Sequence, residues 1–207
     1  MPPATPDTLD RLTTKGKATR AQIVEAAAAL MYERGVASTS NEDIRQAAAV
    51  SNSQLYHYFA DKHELTRAVI AHQIEQVVGG QEVLLAGLDS FAALEAWREV
   101  LVGLSARRQG RGGCPVGSLA SELADQDEQA RLALLAGFAR WETAIRDGLG
   151  AMRERGELRE DADPDQLALA TLSALQGGLL LTQTRRDSGP LEASLGAAIG
   201  YIRSFAA

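Results

Sequence analysis

Two helix-start signals stand one short helix apart in this chain, and the pair restricts what residues 39–59 can become. Thr39-Ser40-Asn41-Glu42 offers a hydroxyl cap with Glu at the third following position, and Ile44, Ala47 and Ala48 then recur at helical spacing. A helix therefore starts near Ser40 and stops near Ala49. Ser51-Asn52-Ser53-Gln54 is a second capping box, and Leu55 and Phe59 give the next helix an inward stripe. Asn52, Ser53, Tyr56 and His57 are left facing outward. Two short helices joined by a tight turn make a helix-turn-helix. A short helix exposing Ser, Asn, Gln, Tyr and His suits the DNA major groove, where such groups meet base edges and phosphates.

The flanks extend the pattern. Upstream, Ala18 to Gly35 reads as an amphipathic helix with Ile23, Ala27, Leu30 and Met31 inward and Gly35 as its stop; downstream, Asp61-Lys62-His63-Glu64-Leu65 opens another helix. The order helix, Gly, Thr-Ser, helix-turn-helix, Leu-Tyr-x-x-Phe, x-Asp-Lys-x-x-Leu resembles the N-terminal domain of the tetracycline-repressor (TetR/AcrR) family of transcriptional regulators. The match runs from Thr19 to Ala71, about a quarter of the chain. The resemblance implies an all-α protein: an N-terminal three-helix helix-turn-helix DNA-binding domain, here residues 17–61, and a C-terminal helical ligand-binding and dimerisation domain, here 62–207. Residues 1–16 are expected to form a flexible arm. Two positions depart from the family, which usually has Gly where this chain has Ala49 and an apolar residue where it has Asn41. If Ala49 must take positive φ, the turn costs about 1 kcal/mol relative to Gly.

Composition agrees with a helical reading. Hydrophobic residues make up 45% of the 207, enough for a core, while aromatics are only 5%. Ala, Leu and Gly dominate, and no stretch alternates in the manner of a strand. The net charge of -6 is unusual for a DNA binder. Residues 1–80 hold 8 Lys and Arg against 9 Asp and Glu, so most of the acidity falls on the remainder. DNA affinity must then come from placement, with Arg11, Lys15, Lys17 and Arg20 beside the motif and Lys62 at a helix start. One cysteine rules out an internal disulfide and suits a reducing compartment. The N-terminus lacks the apolar core of a signal peptide, and the most apolar run, Leu167 to Thr182, is shorter than the roughly 20 residues of a membrane span. The expectation is a cytoplasmic protein.

Punctuation divides the C-terminal half into helices: Asp61 to about Gln81, Ser90 to about Ala106, Pro115 to about Ala124, Asp127 to Arg155, Asp163 to about Arg185, and a last one from Pro190. The helix from Leu167 to Thr182 is apolar nearly all round and so must be covered on two sides. With the final amphipathic helix it resembles the pair from which the family builds a four-helix homodimer interface. Leu172, Leu175, Leu179, Leu195, Ile199 and Ile202 are the candidate interface residues, and completion of an intrachain core is the competing reading.

The candidate DNA contacts are Lys17, Thr39, Ser40, Ser51, Asn52, Ser53, Gln54, Tyr56, His57, Tyr58 and Lys62. Ser53 and Tyr56 match the family's DNA-facing positions, and Lys62 suits a phosphate. Gln54 could instead cap its own helix, Tyr58 could stay within the domain, and capping alone would explain Thr39 and Ser40. The resemblance also implies an effector pocket in the C-terminal half. Trp97, Cys114, Phe138, Trp141, Gln176 and Gln183 are its candidate residues, although aromatics in a helical stripe serve equally as core. Gly113 to Leu123 further resembles a segment of a family branch whose effectors are drugs or reactive small molecules. Cys114, placed before Pro115 and near Arg107, Arg108 and Arg111, could sense electrophiles or be a small buried hydrophobe.

Enzyme motifs fail. The histidines at 57, 63 and 72 lack metal-binding spacing, and a single Cys makes no zinc site. Gly112-x-x-x-x-Gly117-Ser118 lacks the P-loop Lys, and Gly110-x-Gly112 has Pro115 where a dinucleotide fingerprint needs Gly. No cofactor and no metal are expected. The chain reads as a homodimeric repressor of a palindromic DNA operator, released by an apolar or reactive small-molecule effector. A helical ligand-binding or protein-interaction module that has lost DNA binding is the alternative.

Overall fold

A computed structural model describes residues 12–207; residues 1–11, with Arg11 and most of the expected arm, lie outside them. The described chain is helical and forms two compact units, one holding the residues up to Gln76 together with Ser118–Leu134, the other holding Val77–Gly117 and Leu135–Ala207.

In the first unit α1 (Thr14–Arg34) begins before the expected Ala18, because the Thr13 hydroxyl accepts the Gly16 N–H at 3.1 Å and caps it. Residues 14–16, expected in the arm, are therefore helical. α2 (Asn41–Ala47) and α3 (Asn52–Tyr58) form the helix-turn-helix, and α4 (Lys62–Val77) follows. The cap of α2 is Ser40 with Asp43 at the third helical position, not Thr39 with Glu42. Glu42 instead pairs with Arg45 and accepts from Gln46, which together hold its carboxyl down to about 2. α3 is capped as the sequence implies: the Ser51 hydroxyl accepts the Gln54 N–H, and the Gln54 side chain accepts the Ser51 N–H at 2.8 Å. Ile23, Ala27, Ile44, Leu55, Phe59, Leu65 and Val69 are buried. With Leu65, Thr66, Val69 and Ile70 buried, α4 packs within the first unit, which therefore extends past the expected boundary at residue 61.

The turn between α2 and α3 is a Schellman motif. Val50 N–H reaches back to Arg45 C=O and Ala49 N–H to Gln46 C=O, both at 3.1 Å, and Ala49 takes φ 49°. Ala stands where Gly is favoured, and the turn forms regardless. The Gln22 amide supports it by donating to Ala48 C=O at 2.9 Å.

In the second unit the helix expected to run to Gln81 stops at Val77. Gly79 and Gly80 are poor helix formers, and a 3-10 turn (Gly79–Gln81) and short α5 (Glu82–Ala86) take its place. α6 (Phe91–Arg107) is capped by Ser90. α7 (Pro115–Leu123) and α8 (Glu128–Glu154) each have residues in both units. α9 (Pro164–Arg185), capped by Asp163 with Pro at its start, packs against α10 (Gly189–Arg203), which also meets α6. A Cβ on Gly178 would overlap the Ser194 hydroxyl and lie 3.1 Å from the Leu191 Cα, so the α9–α10 crossing as it stands has no room for a side chain there. Among the described residues no helix is long and apolar enough to cross a membrane.

Candidate nucleic-acid interface

α3 buries Leu55, and Phe59 is buried just past its end. The same 3.6-residue period leaves Asn52, Ser53, Gln54, Tyr56 and His57 exposed on the other side. Tyr56 is 48% exposed, unusual for an aromatic in so small a head. Its hydroxyl receives the Asn41 amide N–H at 3.4 Å, so the polar Asn41 touches the exposed face of α3. Lys15 and Lys17 are exposed at the start of α1.

Several candidates spend their polar atoms inside the unit. Thr39 is a correction: it is 1% exposed and its hydroxyl donates to Gly35 C=O at 2.8 Å, so its side chain cannot meet DNA. Ser40 and Ser51 stay exposed but serve as caps. Gln54 gives its carbonyl oxygen to the cap, which favours the capping role over base reading. Tyr58 is half-buried, its hydroxyl lying over Gly16 and its ring edge-on to His57. Lys62 donates to Val36 C=O at 2.6 Å. Arg20 stacks its guanidinium 4.9 Å from the Phe59 ring centre, and burial lowers its pKa; it braces the head from within.

The proposed dimer residues need a larger correction. Leu172, Leu175, Leu195, Ile199 and Ile202 are all buried within the chain, and Leu179 is half-buried. They hold α9 and α10 to their own unit. The opposite faces carry the exposed residues: Leu169, Leu180 and Leu181 on α9, Ala193, Ala197, Gly200 and Tyr201 on α10.

The effector candidates divide into three groups. Trp97 is core, 1% exposed, with its ring N–H already donated to Gln81 at 3.1 Å. Cys114, Gln176 and Gln183 converge where α9 meets the start of α7: the Gln176 carbonyl oxygen lies 2.7 Å from where a Cβ on Gly117 would sit, and Gln183 packs on Gly113. Trp141 is buried and Phe138 half-buried on α8. Among the described residues the Trp141 ring N–H is a buried donor with no hydrogen-bond partner, whereas the Gln176 amide faces the Cys114 sulfur. Cys114 caps α7 by accepting the Gly117 N–H at 3.4 Å, but burial pushes its thiol up from the ordinary range, opposing the reactive thiolate.

A separate cleft of about 410 Å³ is lined by Val78, Leu85, Ala86, Ala144 and Gly148, with Glu82, Asp89, Arg140 and Asp147 among its polar residues. None of the sequence candidates lines it. α5, which supplies part of the wall, had no signal beyond a Gly-Gly break. Among the described residues no three His, Cys, Asp or Glu gather as a metal site.

Comparison with known proteins matches two stretches of the chain to one family. Residues 23–69 match the model of bacterial regulatory proteins of the tetR family, and residues 90–198 match the tetracyclin repressor-like C-terminal domain. An HTH-type transcriptional regulator of Lactococcus lactis subsp. lactis is 32% identical over 85% of this chain and 89% of its own length. The HTH-type transcriptional repressor DhaR of Mycobacterium sp. strain GP1 is 25% identical over 84% and 86%. Among solved structures, a TetR transcriptional regulator of Chloroflexus aurantiacus superposes with a TM-score of 0.79 at 27% identity, covering 94% of this chain and 98% of that one.

Proposed function

The chain belongs to the tetracycline-repressor family of helix-turn-helix transcriptional regulators, and from that premise we propose that it is a homodimeric, cytoplasmic repressor of a palindromic operator, released by a small molecule. The observation that carries the DNA-binding part is α3, capped at Ser51, anchored by Leu55 and presenting Asn52, Ser53, Tyr56 and His57 to solvent. A two-fold dimer sets two such helices on half-sites about 34–36 Å apart, or a multiple of that.

The apolar outer faces of α9 and α10 support dimerisation. Leu180 is 62% exposed and Tyr201 41%, and a second copy of the same pair would cover them. For the effector, the Trp141 ring N–H, without a partner among the described residues, favours a ligand with a hydrogen-bond acceptor, because an unmet buried donor costs about 1–3 kcal/mol that a ligand would recover. The buried, cap-forming Cys114 fits a pocket wall better than an electrophile sensor. To shift the dimer from 1:99 to 99:1 in favour of a form that no longer fits the operator half-sites, the effector needs about 5.5 kcal/mol of differential affinity. The family and the lack of any assembled catalytic motif in the sequence support a regulator without enzymatic activity.

The test is binding to duplexes of the DNA flanking the gene, over a range of salt. Affinity should fall steeply as salt rises. Absence of salt-dependent binding to any duplex, including ones drawn from a random library, would refute the DNA-binding assignment.

A further inference from the structure

We propose that Glu122, at the end of α7, is a positioning residue for DNA binding: its carboxylate clamps the turn that leads into the helix-turn-helix. The inference rests on the DNA-binding reading above but concerns a residue outside the motif. One carboxylate oxygen accepts the Val36 N–H at 2.8 Å and the other accepts the Ala37 N–H at 2.7 Å, across a separation of 85–86 residues. Bonds from backbone N–H to a carboxylate are among the stronger protein hydrogen bonds, and two on one carboxylate fix orientation as well as distance.

The rest of the turn is built to receive it. Gly35 has φ 85°, and a Cβ there would sit 3.3 Å from a Glu122 oxygen, so the backbone bends toward the carboxylate where only Gly is comfortable. Lys62 donates to Val36 C=O at 2.6 Å, so a single peptide segment is held by an anion on its N–H groups and a cation on its carbonyl. The clamped residues then set the start of α2. Thr39 N–H returns to Val36 C=O at 3.3 Å, the Thr39 hydroxyl returns to Gly35 C=O, and the next residue, Ser40, is the α2 cap. Without the clamp, six non-helical residues, 35–40, would decide the tilt of α2, and through the Schellman turn that of α3. An interface that must be ordered on binding binds more weakly than one already ordered.

Glu122→Gln tests this by sign. On charge alone, removing an anion from a DNA-binding unit strengthens binding. If the clamp positions the head, Gln weakens it, because the amide turns N–H donors toward one of the two backbone N–H groups. Binding to a duplex selected by the wild-type protein from a random library should weaken on the order of tenfold. The salt slope should be unchanged, since Glu122 neutralises no phosphate. Amide hydrogen exchange gives a second readout independent of DNA: Val36 and Ala37 should be protected in the wild type and lose that protection in Glu122→Ala. Equal or tighter binding by Glu122→Gln, a loss that merely tracks its unfolded fraction, or unprotected Val36 and Ala37 amides in the wild type would each overturn the proposal. If the wild type selects no duplex, the DNA-binding reading fails, and the exchange rates still decide whether the clamp exists.

Discussion

Ala49→Gly should stabilise the protein, a result that burial and contacts alone would not suggest, since Ala49 is exposed and its methyl group packs little. The reason is its φ of 49° at the left-handed position of the Schellman turn. An L-residue there costs about 1–2 kcal/mol through the clash of Cβ with the following carbonyl. Glycine removes the clash but adds backbone freedom to the unfolded chain, worth about 0.4–1 kcal/mol against it. The net is a gain of roughly 0.5–1 kcal/mol. For a chain of this size that raises the midpoint of thermal unfolding by about 1–4 °C, readable by circular dichroism at fixed protein concentration. Ala49→Val supplies the opposite sign, because a β-branched residue is far less tolerant of positive φ. DNA affinity well below the midpoint should stay as in the wild type for Ala49→Gly, the two turn hydrogen bonds being made by backbone. A neutral or destabilising Ala49→Gly, or a harmless Ala49→Val, would refute the claim that this turn is strained by its side chain.

Tyr56→Ala should weaken operator binding while leaving helical content and dimer intact, checked by fluorescence anisotropy and circular dichroism; Lys62→Ala should leave the salt slope unchanged, because its amine is committed to Val36 C=O, and a slope lowered by roughly one unit would place it on a phosphate instead. Leu180→Glu should yield folded monomers in sedimentation, whereas Leu195→Glu, placing a charge at a fully buried site, should cost several kcal/mol and unfold the chain. Dimeric Leu180→Glu would contradict the outer face of α9 as the interface. Cys114 should react slowly with a thiol reagent in the native protein and rapidly in urea; fast native modification would revive a sensing role.

What the sequence discloses here is period more readily than phase. Helix starts were legible wherever a side chain caps its own backbone, as at Ser51, Ser90 and Asp163, because both partners lie within one turn. The outward face of α3 was legible because Leu55 and Phe59 are apolar and the residues between them are not. α9 offers no such contrast: Leu172, Leu175, Leu180 and Leu181 are chemically alike, so the pattern says that the helix is covered on two sides without saying which side is the protein's own. That choice depends on where Gly178 lets α10 approach, and α10 buries Leu191, Leu195 and Ile202 along with it. The outward set, Leu169, Leu180 and Leu181, is then fixed by elimination.

The polar residues that hold the head together were hidden for the complementary reason. Thr39 and Ser40 are both hydroxyls at a helix start, and local sequence cannot tell the one that caps from the one that is buried against Gly35. Glu122 and Gln22 act across separations that leave no periodic trace. Such long-range contacts fall on backbone atoms of turns, Val36 and Ala37 in one case and Ala48 in the other. The amino acids in those turns therefore carry no signature of being held. A head of this size has little apolar surface with which to fix its turns. Carboxylate and amide groups reaching from other helices supply the missing rigidity, and an unaltered recognition helix that has lost such a support should bind DNA less well.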